Sequence, residues 1–134
     1  MHQYIYNCII ARVIDGDTIV VHIDLGFDTW LKNQYIRLHD IDAPEIRTLD
    51  MFEKEKGLAA KGYVEKLLPV GSRRTLYSYE FKRGKYGRII GDFGIPFDPE
   101  NPDGSYYHLS FALLENGYAE PYEKRKEYQK ESRK

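Results

Sequence analysis

The chain predicts a small, mainly β fold with helices (α+β), in the order β-β-β-α-β-β-α followed by a polar C-terminal helix or tail. Short runs rich in β-branched and aromatic residues recur between turn signals, which is the pattern of strands. The period turns helical in only two later stretches. At 134 residues, one compact domain spanning 1–134 is the expectation.

Tyr4–Ile14 reads as the first strand, and Asp15-Gly16 as the hairpin turn after it. Asp17–Asp24 is the second strand. Asp17 shares strand parity with Ile19, Val21 and Ile23, so its carboxylate should face the core, where an unpaired charge is costly. Simple capping of the turn is the alternative for Asp17. Leu25-Gly26-Phe27-Asp28 is a second turn, and Thr29–Leu38 a third strand weighted by Trp30 and Tyr35.

The stretch Arg37–Glu45 then supplies one fixed cation and three carboxylates, Asp40, Asp42 and Glu45, and the meandering strands deliver Asp17 to the same sheet. Pro44 lacks a backbone N–H and stops the strand, while Ala43 before it is driven towards extended geometry. Acids held at a stiff turn suit a hard cation. Ordinary turn chemistry, or an ion-pair network of Arg37 with Asp17 or Asp42, would account for the same residues.

From about Glu53 to Leu68 the period is helical, with Ala60, Val64, Leu67 and Leu68 on one face. Gly57 and Gly62 weaken that helix, and Pro69 with Gly71 ends it. Arg73–Phe81 and Arg88–Phe93 are strands joined by the basic loop Lys82–Gly87. Gly94–Gly104, with Pro96, Pro99 and Pro102, reads as a long loop. Tyr107–Asn116 is a helix closed by Gly117. The tail 123–134 is basic and has almost nothing to bury. Five strands with a helix between the third and fourth match the OB-fold, a small barrel whose exposed face often binds oligonucleotides.

Composition narrows the function classes. Net charge is −1, so a nucleic-acid partner needs a local site rather than a basic surface. Single Cys8 excludes an internal disulfide framework, and four histidines without ligand-like spacing argue against zinc. No run approaches the roughly 20 apolar residues of a spanning helix. With no leader-like segment, the expectation is a cytoplasmic monomer without a membrane partner; a secreted mature form would read alike.

Four motifs occur in order: Val13-Ile14-Asp15-Gly16-Asp17-Thr18; Arg37-Leu38 with Ile41-Asp42-Ala43-Pro44-Glu45; Lys85-Tyr86-Gly87-Arg88; and Ala112-Leu113-Leu114-Glu115-Asn116-Gly117-Tyr118-Ala119. Together, over roughly residues 8 to 122, they resemble the staphylococcal nuclease (thermonuclease) family. The resemblance implies Ca²⁺-dependent phosphodiester hydrolysis of DNA and RNA, single-stranded or frayed, leaving 3′-phosphates. It implies Asp17, Asp42 and the backbone carbonyl of Ala43 as Ca²⁺ ligands, and Glu45 as the group that holds or deprotonates the attacking water. Arg37 and Arg88 would bind the scissile phosphate; Lys85, Tyr86 and, more weakly, Tyr122 would touch substrate. A silent OB-fold module that binds single-stranded nucleic acid or a protein is the alternative. Three features depart from the family pattern: the titratable pair His39-Asp40, the long 94–104 loop, and a short or poorly apolar third helix at the C-terminus.

Overall fold

The computed structural model describes residues 4–82 and 87–122. Five strands close a barrel: β1 (Tyr4–Asp15), β2 (Thr18–Asp24), β3 (Trp30–Leu38), β5 (Arg73–Lys82) and β6 (Arg88–Pro96). β1 pairs antiparallel with β2 and with β5, β2 with β3, and β5 with β6; the parallel pairing of β3 with β6 closes the ring. Among the described residues two helices, α1 (Met51–Leu67) and α2 (Leu109–Glu115), complete the expected α+β OB-fold architecture.

Alternation along the strands explains the core. Ile19, Val21 and Ile23 of β2, Ile36 and Leu38 of β3, Leu76 of β5 and Phe93 of β6 all point inward. Val64 and Leu68 from α1 and Leu109 and Leu113 from α2 join the same cluster. α1 begins earlier than the expected Glu53. Asp50 is its N-cap, accepting from the backbone N–H of Phe52 at 2.9 Å and of Glu53 at 3.4 Å.

Several boundaries differ from the sequence reading for physical reasons. The first hairpin turns at Gly16-Asp17 rather than Asp15-Gly16, because Asp15 still pairs with Thr18. β6 runs past Phe93, so the expected 94–104 loop loses its first residues to the sheet: Gly94, Ile95 and Pro96 pair with β7 (Tyr106–His108). Pro96 is tolerated as the last residue of its strand. Tyr107 therefore belongs to a strand, and the second helix starts at Leu109. Two short strands had no sequence signal: β4 (Ile41–Asp42) pairs with β8 (Glu120–Pro121). The expected basic loop is described only up to Lys82 and from Gly87. Residues 123–134, with the tail and any third helix, lie outside the described residues.

Asp92 ties β6 to α2. It is 3% exposed, and its Oδ1 accepts from the N–H of Phe93 at 2.8 Å and of Ser110 at 3.1 Å, while Oδ2 accepts from the Ser110 hydroxyl. His108 caps nothing with its own side chain, so this carboxylate from the neighbouring strand serves the helix start.

Glycines set how closely α1 approaches the acidic turn. A Cβ on Gly57 would lie 2.9 Å from the carbonyl oxygens of both Pro44 and Glu45. One on Gly16 would meet the Cβ of Ala60 at 2.8 Å and that of Ala43 at 3.0 Å. Gly62 has open space around its Cα. Gly57→Ala should therefore destabilise by about 1–3 kcal/mol through backbone overlap. Gly62→Ala should stabilise by up to about 1 kcal/mol through helix propensity. Thermal unfolding followed by circular dichroism separates the two; an equal gain from both would mean the turn yields freely.

Candidate active site

The site forms where β2, β3 and the segment after β4 meet. β3 and β2 are in register at Arg37 and Thr18, which brings Arg37 beside Asp17 at the hairpin turn. Asp17 is 7% exposed, as its parity with the core residues predicted. Its Oδ2 lies 2.8 Å from Arg37 Nη1 and accepts the Ala43 N–H at 2.9 Å; its Oδ1 accepts from the Thr18 hydroxyl at 3.1 Å. Asp42 Oδ1 accepts from Arg37 Nη2 at 3.1 Å. An acid from the β1–β2 turn and one from β4 thus converge on one guanidinium. The contact with Asp17 is Coulombic rather than a formed hydrogen bond, since buried Nη1 has no aligned acceptor.

The remaining predicted residues fall around this centre. Ala43 is buried, and its backbone is held by Asp17. Glu45 follows Pro44 with an exposed side chain, and among the described residues it has no ion-pair partner. Arg88 opens β6 with an exposed side chain. β6 pairs Ile90 with Arg37, so strand parity puts Arg88, Ile90 and Arg37 on one outer face. Tyr122 is half exposed and donates its backbone N–H to the Asp40 carbonyl at 3.1 Å, beside β4. Lys85 and Tyr86 lie outside the described residues.

Asp15 joins the site, although the sequence reading gave it only a turn. Burial, and next the charge of Asp17, push its carboxyl above the usual range; Glu45 adds to this, while Arg47 and Lys61 oppose it. Its position two residues from Asp17 was the available signal. Gly57 was read as a mere weak point of α1, whereas it is the contact that seats Pro44 and Glu45. Cys8 is excluded from chemistry: it is buried in the core and its thiol is pushed up to about 12 by burial.

The donor chemistry fits a hard cation. The candidate ligands are carboxylate and carbonyl oxygens, with no thiol or imidazole among them, and Asp15 and Glu45 add negative charge. Among the described residues, no three His, Cys, Asp or Glu side chains converge as a ready metal cage. The side-chain geometry instead directs both acids to Arg37.

The match to a known family is decisive for identity. The family model of staphylococcal nuclease homologues matches residues 35–134. The chain belongs to that family. The matched span contains Arg37, Asp42, Glu45, Arg88 and Tyr122; Asp17 precedes it and is tied to it through Arg37 and Ala43. No curated relative matches the chain. Membership of the nuclease-homologue family and the OB-type barrel agree with one another.

The raised carboxyl of Asp15 has a definite consequence for stability. An acid that ionises less readily in the folded chain costs stability as pH rises past its unfolded value of about 4. Asp15→Asn should therefore raise the Tm at pH 7 in a chelating buffer. The gain should fade as pH falls below about 4, where both forms are neutral. Thermal unfolding across that range checks it, and a Tm unchanged at pH 7 would show that Arg47 and Lys61 already cancel the cost.

Proposed function

We propose that the protein is a Ca²⁺-dependent nuclease that hydrolyses phosphodiester bonds of DNA and RNA and leaves 3′-phosphates. The observation that carries this reading is the meeting of Asp17 and Asp42 on Arg37, on the same outer face as Arg88. Family membership supports it.

Asp17, Asp42 and the carbonyl of Ala43 would hold the Ca²⁺. When bound, the ion supplies Lewis-acid polarisation and neutralises charge on the phosphate. The protein's own groups account for the rest. Glu45, exposed at the rim and without an ion-pair partner among the described residues, takes a proton from the attacking water. The water oxygen bonds to phosphorus, the bond from phosphorus to the 5′ oxygen breaks, and that oxygen takes up a proton from solvent. Arg37 and Arg88 hold the equatorial oxygens, on which negative charge grows, through planar donors that lysine cannot copy. A near-neutral chain gains its attraction for phosphate from this local pair of guanidiniums.

The preferred substrate in this reading is single-stranded or frayed nucleic acid, because an OB face tracks an unpaired strand. Cleavage of single-stranded DNA should disappear in a chelator and return with added Ca²⁺. Glu45→Gln should lower turnover by about 10²–10⁴-fold with the Tm and metal affinity nearly unchanged. Arg88→Ala should lower turnover by about 10²–10³-fold, and further Ca²⁺ should not restore it. Binding that survives the chelator, without cleavage under either condition, would instead support a silent nucleic-acid-binding module.

A further inference from the structure

A pocket of about 330 Å³ lies against β4, lined by His39, Asp40, Tyr79, Asp92, Phe111 and their neighbours. Its volume lies within the range of small-ligand sites, roughly 300–1,000 Å³. We propose that this pocket is a nucleobase subsite serving the phosphate site, selective for bases that carry an exocyclic amino group. The inference rests on the nuclease reading and names a specificity device within it.

Position comes first. Arg88, Ile90 and Asp92 alternate onto one outer face of β6, and Arg37 shares that face on β3. His39 extends the β3–β6 ladder, donating its N–H to the Gly91 carbonyl at 2.9 Å, and so follows Arg37 on the same face. One same-face step along a strand is roughly 6.6 Å. The pocket therefore begins one same-face side chain beyond Arg37 and two beyond Arg88, within reach of the sugar and base attached to a phosphate held by Arg37.

Shape and charge select the occupant. The His39 and Tyr79 rings stack with centroids 4.1 Å apart and planes 10° apart, and Phe111 stands 58% exposed at the rim. Flat rings of this kind accept a base by stacking regardless of its identity. The polar groups then discriminate. Asp92 lies at the buried end, already accepting from Phe93 and Ser110. Asp40 is open, its side chain 80% exposed, with Oδ2 held 2.8 Å from His39 Nε2. A carboxylate offers about four acceptor sites, so Asp40 can take an exocyclic N–H of adenine, cytosine or guanine. Thymine and uracil would face these carboxylates with a carbonyl oxygen where the others present an amine. Two acids also repel phosphate, which assigns the backbone to the arginines and the base to the pocket.

The test uses calorimetric titration of the full chain carrying Glu45→Gln, with Ca²⁺, against tetranucleotides of dA, dC and dT and an abasic tetramer. The dA and dC tetramers should bind about tenfold tighter than the dT tetramer, with the abasic one weakest. Tyr79→Leu should bring all four to the abasic affinity and leave that affinity unchanged. Phe111→Ala, at an exposed rim position, should weaken base-bearing ligands alone and guards against a folding defect at Tyr79. Asp40→Gly should erase the preference for dA and dC over dT while stacking still favours any base over none. Its φ of 57° suits glycine, so the turn is kept. Equal binding of abasic and base-bearing tetramers would overturn the subsite and leave the nuclease reading standing. No binding by any tetramer would overturn both.

Discussion

The structure turns on a charge constraint: two carboxylates brought into a mostly buried corner must share a cation. Asp17 comes from the β1–β2 turn and Asp42 from β4, and Arg37 reaches both, with side-chain exposures of 18% for the arginine, 10% for Asp17 and 20% for Asp42. Moving either acid out of water unpaired would cost several kcal/mol. Arg37 is therefore a condition for folding this corner as well as a candidate phosphate ligand. The arrangement also makes backbone geometry depend on side-chain charge, since Asp17 Oδ2 fixes the Ala43 N–H just before Pro44. Glu45 owes its place to that turn and to the absence of a side chain at Gly57.

What the sequence made legible follows from which signals are local. Alternation over seven to twelve residues identified the barrel strands, because one face must be buried and a slip in register would invert it. Parity alone placed Asp17 on the buried side. β4, β7 and β8 escaped because two or three residues carry no period. Gly94 and Pro96 looked like loop residues, yet buried Ile95 between them holds the strand in the sheet. The helix began early because Asp50 caps it, a side-chain contact that apolar periodicity does not report.

The site was legible in part for the same reason. Asp17, Arg37 and Asp42 lie on elements whose pairing the hairpin pattern already implied, and the structure brings them together. Asp15 and Gly57 matter through desolvation and steric approach, quantities that exist only once α1 lies across the barrel. The His39-Asp40 pair looked like a foreign charge beside the acids. In three dimensions it turns away: His39 lies on Tyr79, and Asp40 takes a left-handed backbone at the bend from β3 to β4.

That bend gives the outer face its polarity. Along β6 the outer-face positions run from an exposed guanidinium at Arg88, through half-buried apolar Ile90, to the buried carboxylate of Asp92. Along β3 they run from Arg37 to His39 with Asp40. Burial, and then the charges of Asp92 and Asp40, push the Tyr79 phenol above its usual range, so it stays a neutral surface between them. A nucleotide has the complementary polarity, with an anion at one end and a flat, weakly polar ring at the other. A chain of net charge −1 gains no orientation from its overall field, whereas a gradient across one short face orients such a ligand wherever it lands. Asp17 and Asp42 add less to that gradient than their number suggests, because both carboxylates are paired with the Arg37 guanidinium.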